Sequence, residues 1–168
     1  MKRYTTALLL LFVLAATLTA ARAAQDAEEK KVTLSGHELV LPEPVKFEAG
    51  TDKLEPASDA GLRLLADYLN AKKLFTLVRV EGHTARGGEG AQGLSERRAL
   101  AAARRLAELG VDCKRLVAVG FGATKPVEAE GSAANERVTF FNAALAGHLV
   151  GGMPADGGGQ TAGAVCKE

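Results

Sequence analysis

An α+β fold of two layers, with helices packed on one face of a mixed sheet, is predicted by three observations on this sequence. Residues 56–71 and 94–109 each repeat apolar positions at helical spacing. Short runs rich in Val, Leu and Phe precede, separate and follow them. The resulting order is β-α-β-α-β-β, and a strand, a helix and a further strand in succession favour a parallel crossover with the helices on one sheet face.

The elements follow in turn. Between Val32 and Phe47, small apolar groups (Val32, Leu34; Leu39, Val40, Leu41; Val45, Phe47) alternate with polar residues, which reads as pieces of strand. Pro42 and Pro44 place those pieces at an edge or a bend, because proline cannot donate to a ladder. From Pro56 to Ala71, Leu62, Leu65, Ala66 and Leu69 line one face of a helix, with Pro56 suited to the first turn. Leu74 to Val80 is a compact apolar run and reads as a buried strand ending in Glu81-Gly82. Helical spacing returns from Leu94 to Leu109, and Gly110 stands where a helix stops. Leu116–Phe121 and Val138–Leu145 are the last strands, joined by the Gly/Ala/Glu-rich stretch 122–136.

The two ends read differently. Met1-Lys2-Arg3, an apolar run from Ala7 to Leu18 and the small residues Ala21 and Ala23 make a secretory signal segment over residues 1–23. No cysteine lies near that cleavage site to accept a lipid. Residues 24–36 are charged and read as a flexible spacer, 37–146 as one domain, and 147–168 as a Gly-rich flexible tail. Export implies a mature chain outside the cytoplasm with no transmembrane span left in it. The series of alternating ten-residue strands that a membrane barrel needs is missing.

Twenty-one Lys and Arg balance twenty Asp and Glu, so a net charge of +1 offers no field for nucleic acid. Cys113 and Cys166 are the only cysteines. In an oxidising compartment they form a candidate disulfide, with two free thiols as the alternative. Neither has metal-ligand spacing to a histidine, and no cofactor motif is present. No nucleophile motif, carboxylate pair or HExxH pattern appears, so an enzyme is not expected.

The stretch that carries chemistry is Val80-Glu81-Gly82-His83-Thr84, a Gly-rich loop from Ala85 to Gly93, and Leu94-Ser95-Glu96-Arg97-Arg98-Ala99. It resembles the OmpA-like C-terminal domain family, which includes the peptidoglycan-associated lipoproteins and the flagellar stator B subunits. That family pairs a strand ending G-H-T-D with a helix opening L-S-x-x-R-A. Val45-Lys46-Phe47 with Leu54, Gly110-Val111, Gly120-Phe121-Gly122 with Pro126, and Asn135-Glu136-Arg137-Val138 against N-R-R-V extend the resemblance over residues 37–145.

The resemblance implies a non-catalytic module binding the peptide stem of peptidoglycan, with envelope proteins as further partners. Arg98 then holds the free carboxylate of diaminopimelate, a task suited to a planar guanidinium fork. Thr84, Ser95 and Arg137 join it as ligand-binding residues. Ser95 or Gly93 is taken as the start of the helix, whose free N–H groups attract carboxylates, and Arg98 as one turn inside it. A solvated helix arginine is the alternative, since Arg97, Arg104 and Arg105 lie nearby.

Departures from the pattern bear on the ligand. The family aspartate that pairs the ammonium of diaminopimelate is Ala85 here, the family asparagine is Ala91, and Glu136 replaces the first arginine of N-R-R-V. The loop between the two halves of the motif is also two residues shorter. Glu89 is the one carboxylate in that loop that could substitute, and weakened binding is expected. Two other readings stay open: a degenerate scaffold serving protein interaction in the envelope, and a hydrolase using His83, whose place in the strand-end motif otherwise reads as structural.

Overall fold

A computed structural model of the chain describes residues 31–151 and 157–166. The signal segment 1–23 and most of the spacer lie outside the described residues. In chain order the elements are β1 (Thr33–Ser35), β2 (Glu38–Val40), α1 (Ser58–Ala71), β3 (Phe75–Gly82), α2 (Ala91–Glu108), β4 (Leu116–Gly120), β5 (Val138–Leu145), β6 (His148–Leu149) and β7 (Gln160–Thr161). Short 3-10 turns occupy Cys113–Arg115 and Ala133–Asn135. The strands form one mixed sheet in the order β1-β2-β5-β3-β4-β7, with β6 paired to β5. Only β3 and β4 run parallel, joined through α2, and every other pairing is antiparallel.

The core lies between the helices and one sheet face. Leu62, Leu65 and Leu69 of α1, Ala99, Ala102 and Leu106 of α2, and Val78, Val80, Ala118 and Phe140 of the sheet are all buried. The small alanines on α2 let the helix sit low over β3 and β4. Its stop is a Schellman turn: Gly110 adopts φ +94°, its N–H donates to Ala107 O at 3.0 Å, and the Val111 N–H donates to Leu106 O at 3.1 Å.

Two paired glycines set the closest approach. Gly82 and Gly120 are register partners on β3 and β4, and both face the start of α2. A β-carbon on Gly82 would lie 2.0 Å from Ser95 O, and one on Gly120 would lie 2.5 Å from Glu96 Cγ. Any side chain there would push the helix off the sheet.

The fold extends beyond the boundaries read from sequence at both ends. The spacer assigned to residues 24–36 overlaps the sheet, because β1 lies within it and pairs with β2. The segment assigned as a loose Gly-rich tail is, over its described residues, part of the structure. β7 pairs along the free edge of β4, Ala162 and Val165 are buried in the core, and Cys166 is joined to Cys113 with Cα atoms 5.2 Å apart. Glycine reads as flexibility in a sequence, but here it permits contact. A β-carbon on Gly151 would meet Asn142 O at 2.4 Å, and one on Gly159 would meet the Phe121 ring at 2.6 Å.

That segment also explains a buried charge cluster on the other sheet face. Arg79, Glu81 and His83 alternate with Val78, Val80 and Gly82, so they point away from the helices. All three are nonetheless buried. Arg79 donates through Nε to Glu81 Oε1 at 2.5 Å and through Nη1 to Gly151 O at 2.9 Å, while His83 stacks on Phe121.

Candidate functional site

Arg98 lies two turns beyond Ala91, where α2 begins, and is only 3% exposed. The helix start is therefore Ala91, capped by Gly90 at φ +79°, not Gly93 or Ser95. A left-handed glycine can turn the loop sharply into the helix, so three residues that look like loop join it. Arg98 is not a solvated helix arginine, and it lies two turns inside the helix instead of one.

Three neighbours hold its guanidinium. Nε donates to Thr51 O at 2.7 Å, Nη1 donates to Glu136 Oε1 at 2.5 Å, and the plane lies over the Phe47 ring at 5.2 Å from its centroid. Phe47 and Thr51 are presented by a tight excursion between β2 and α1, closed by a bridge between Phe47 and Leu54. Ser58 fastens that excursion to α1, because its hydroxyl accepts from Lys46 N at 2.8 Å and donates to Lys46 O at 3.0 Å.

Two open clefts flank the Arg98–Glu136 pair. One, of about 540 Å³, is bounded by Thr84, Ala85, Glu89, Ala91, Arg97 and Glu136. The other, of about 490 Å³, is bounded by Lys46, Phe47, Arg98, Ala134, Glu136 and Arg137. Glu136 borders both, and its side chain is 43% exposed. The end of β3, the start of α2 and the turn before β5 thus converge at one end of the sheet.

The remaining residues expected at the site divide. Thr84 borders the first cleft, with its hydroxyl donating to Arg86 O at 3.0 Å. Glu89 is exposed on the same rim beside Ala85 and Ala91. Arg137 borders the second cleft, donating through Nη2 to Lys125 O at 3.1 Å, and burial holds its pKa below the ordinary arginine value against the raising influence of Glu38 and Glu81. Ser95 does not reach either cleft. It is fully buried against Gly82 and Gly120, its Oγ donating to Gln92 O at 2.7 Å and accepting from Gly122 N at 2.9 Å. Its assignment to ligand binding is corrected to the joint between α2 and the loop after β4.

Asn135 acts similarly. Its amide is buried and saturated, accepting from Val127 N and Glu128 N and donating to Glu128 O and Ala129 O. It clasps the loop that precedes it and so sets where Glu136 begins.

His83 lies on the far side of β3 from these clefts and is 1% exposed. Nε2 is 3.4 Å from Thr139 Oγ1 and 3.5 Å from Glu81 Oε2, and Nδ1 is buried without a partner. Burial is the largest influence on it and pushes its pKa below 6.5, so the ring is neutral. Burial alone would raise the Glu81 carboxyl, yet the hydrogen bond from His83 and the charges of Arg79 and Lys125 hold it below 4.5. This is a structural network.

The profile of the OmpA family matches residues 46–139, more than half of the chain. The chain belongs to the OmpA family. It is 43% identical over 101 residues to outer membrane porin F of Pseudomonas aeruginosa, covering 56% of this chain and 29% of that protein. Outer membrane porin F of Pseudomonas fluorescens is 38% identical over 100 residues, covering 56% and 30%. The chain thus spans about three tenths of the length of these relatives. Among solved structures, the periplasmic domain of Helicobacter pylori MotB superposes with a TM-score of 0.56 at 19% identity, over 66% of this chain and 85% of that one. The cell wall anchor of the type VI secretion system of P. aeruginosa superposes with a TM-score of 0.52 at 25% identity, over 70% and 90%. The α+β architecture is shared with these OmpA-like domains. The family match ends at residue 139, so β6, β7 and Cys166 lie beyond it, and the disulfide ties that extension back to Cys113 inside it.

Against the OmpA-family pattern, sequence reasoning missed Phe47, Thr51 and Glu136 as the partners of Arg98. Glu136 carried a signal, because a carboxylate that replaces a cation near a conspicuous arginine is a candidate partner for it. The Thr51 contact runs through a backbone carbonyl, which no residue type announces.

Proposed function

We propose that this protein is a non-catalytic cell-envelope module that docks on the peptide stem of peptidoglycan, with Arg98 taking a carboxylate of diaminopimelate. The observation that carries this reading is that two open clefts meet at the Arg98–Glu136 pair, one bounded by Arg98 and Arg137 and the other by Thr84 and the start of α2. A carboxylate suits such a place, since a guanidinium and the N–H groups of a helix start both favour negative charge. The relatives support the envelope setting: two are outer membrane porins by name, and one structural neighbour is described as a cell wall anchor. Export through residues 1–23 would deliver the chain to the periplasm.

Binding is weak in this reading. Ala85 cannot pair an ammonium, and losing one charge-assisted hydrogen bond costs about 1.5–3 kcal/mol, roughly a tenfold to hundredfold fall in affinity. Glu89, exposed on the same rim, is the substitute carboxylate for that ammonium.

The same substitutions favour a second reading, a scaffold that has kept the fold and serves protein interaction in the envelope. Co-sedimentation of the mature protein with purified sacculi, with and without free diaminopimelate, separates the two. Retention on sacculi that free diaminopimelate reverses supports the first. No retention by a folded protein overturns it, and release of soluble muropeptides would mark a hydrolase instead.

A further inference from the structure

We infer that Glu136 is an intramolecular stand-in for the ligand's carboxylate, so that the resting site is occupied by the protein's own side chain and opens when Glu136 is displaced. This inference rests on the reading of Arg98 as a carboxylate receptor, and it states how that receptor is regulated.

The argument begins with the donors of one guanidinium. A carboxylate engages arginine bidentately along an edge formed by two adjacent donors, either Nε with Nη2 or Nη1 with Nη2. In Arg98, Nε is spent on Thr51 O and Nη1 on Glu136 Oε1. Each edge therefore has one of its two nitrogens already engaged, so a second carboxylate meets a competitor on either side. The Thr51 contact is a backbone carbonyl in a bridged loop and is fixed by the fold. The Glu136 contact is made by a side chain that is 43% exposed, between two clefts that leave it space to swing. Of the two obstructions, only Glu136 can move.

Its chemistry matches what it replaces. A glutamate carboxylate on Arg98 is the same functional group, with the same charge, as the free carboxylate of a stem-peptide residue. Arg98 is 3% exposed, and a buried guanidinium without a counter-charge is costly. Glu136 removes that cost in the free protein. An entering carboxylate then exchanges one ion pair for another instead of satisfying a bare cation, and the gain in binding shrinks accordingly. Arg97 is not an equivalent receptor, since it is exposed and 4.0 Å from Asp52.

The test compares the mature wild-type chain with Glu136→Gln, Glu136→Ala and the double variant Glu136→Gln/Arg98→Lys. The probes are sacculi, free diaminopimelate, and pimelate, which has the two carboxylates without the ammoniums. Affinity is read by calorimetry and occupancy by the NMR signals of the Arg98 guanidinium. Removing Glu136 leaves the buried Arg98 without its counter-charge, so circular dichroism checks that every variant is folded before binding is read. Glu136→Gln and Glu136→Ala should bind pimelate and diaminopimelate about tenfold to a hundredfold more tightly than wild type, with the Arg98 signals moving on addition. The lysine double variant should lose that gain. Equal or weaker binding of both probes by the Glu136 variants overturns the inference. A gain for pimelate at Arg98 with no retention of any variant on sacculi would keep the exchange mechanism and overturn the cell-wall reading.

Discussion

Gly159 lies so close to Phe121 that a β-carbon on the glycine would stand 2.6 Å from the ring. Phe121 is fully buried, stacks on His83 and carries the Lys125 ammonium over its ring at 3.8 Å from the centroid. The contact makes the C-terminal segment the cover of a sheet face that a two-layer fold would otherwise leave to water. Gly159→Ala should therefore destabilise the protein by about 1–3 kcal/mol through overpacking, outweighing the smaller gain from a stiffer unfolded chain. Thermal unfolding checks it, and an unchanged or raised midpoint would show that the segment is not packed on Phe121.

The Cys113–Cys166 bridge closes a separation of 53 residues. In the chain-entropy model a loop of that size contributes about 4 kcal/mol, an upper figure. Cys113→Ser should lower stability by a large part of this. It should also raise hydrogen exchange at Ala162, whose N–H donates to Ala118 O at 2.9 Å, more than at residues in the centre of β3. Uniform loss of protection across the sheet would mean that the bridge does not act mainly on this segment.

The buried His83 and Glu81 set a direction for acid stability. In the unfolded chain His83 titrates near 6.5, while in the fold its pKa is lower. Between those values the unfolded chain holds more protons, so stability is full above about 6.5 and falls as pH drops through that interval. Glu81, lowered from 4.5, extends the loss in the same direction at lower pH. Urea midpoints should fall between about pH 7.5 and about pH 5.5, and His83→Gln should flatten that slope. An equal slope in wild type and variant would exclude His83 as its source.

Ala85 borders the cleft that also contains Glu89, Arg97 and Glu136. Ala85→Asp should supply an ammonium partner and tighten binding of diaminopimelate by about tenfold, the scale of one charge-assisted contact, while leaving pimelate unaffected or weaker. Calorimetry with both compounds decides it. A matching gain for pimelate would show that the new carboxylate acts on something other than an ammonium.

Much of this protein is legible in its sequence because the signals are local. The leucines of α1 and the alanines of α2 declare their faces through helical spacing, and β3 and β5 declare themselves as apolar runs. The motif around Gly82-His83-Thr84 and Leu94 to Ala99 locates Arg98. The start of α2 is obscured because Gly90 and Gly93, both weak helix formers, flank Ala91 and Gln92, and only the left-handed turn at Gly90 commits residues 91–93 to the helix.

What the tertiary structure alone decided is how distant residues meet. Arg98 acquires Thr51 and Glu136 as partners across 47 and 38 residues of chain. Ser95 changes from a candidate ligand contact to a buried joint because two strand glycines allow α2 to rest on it. The glycines after residue 147 look like freedom in one dimension and prove to be clearance in three, where Gly151 and Gly159 let a backbone press against the sheet. Periodicity and motif record only what each residue needs from its near neighbours, whereas the pairing of a charge and the meaning of a missing side chain depend on which surface the fold brings opposite.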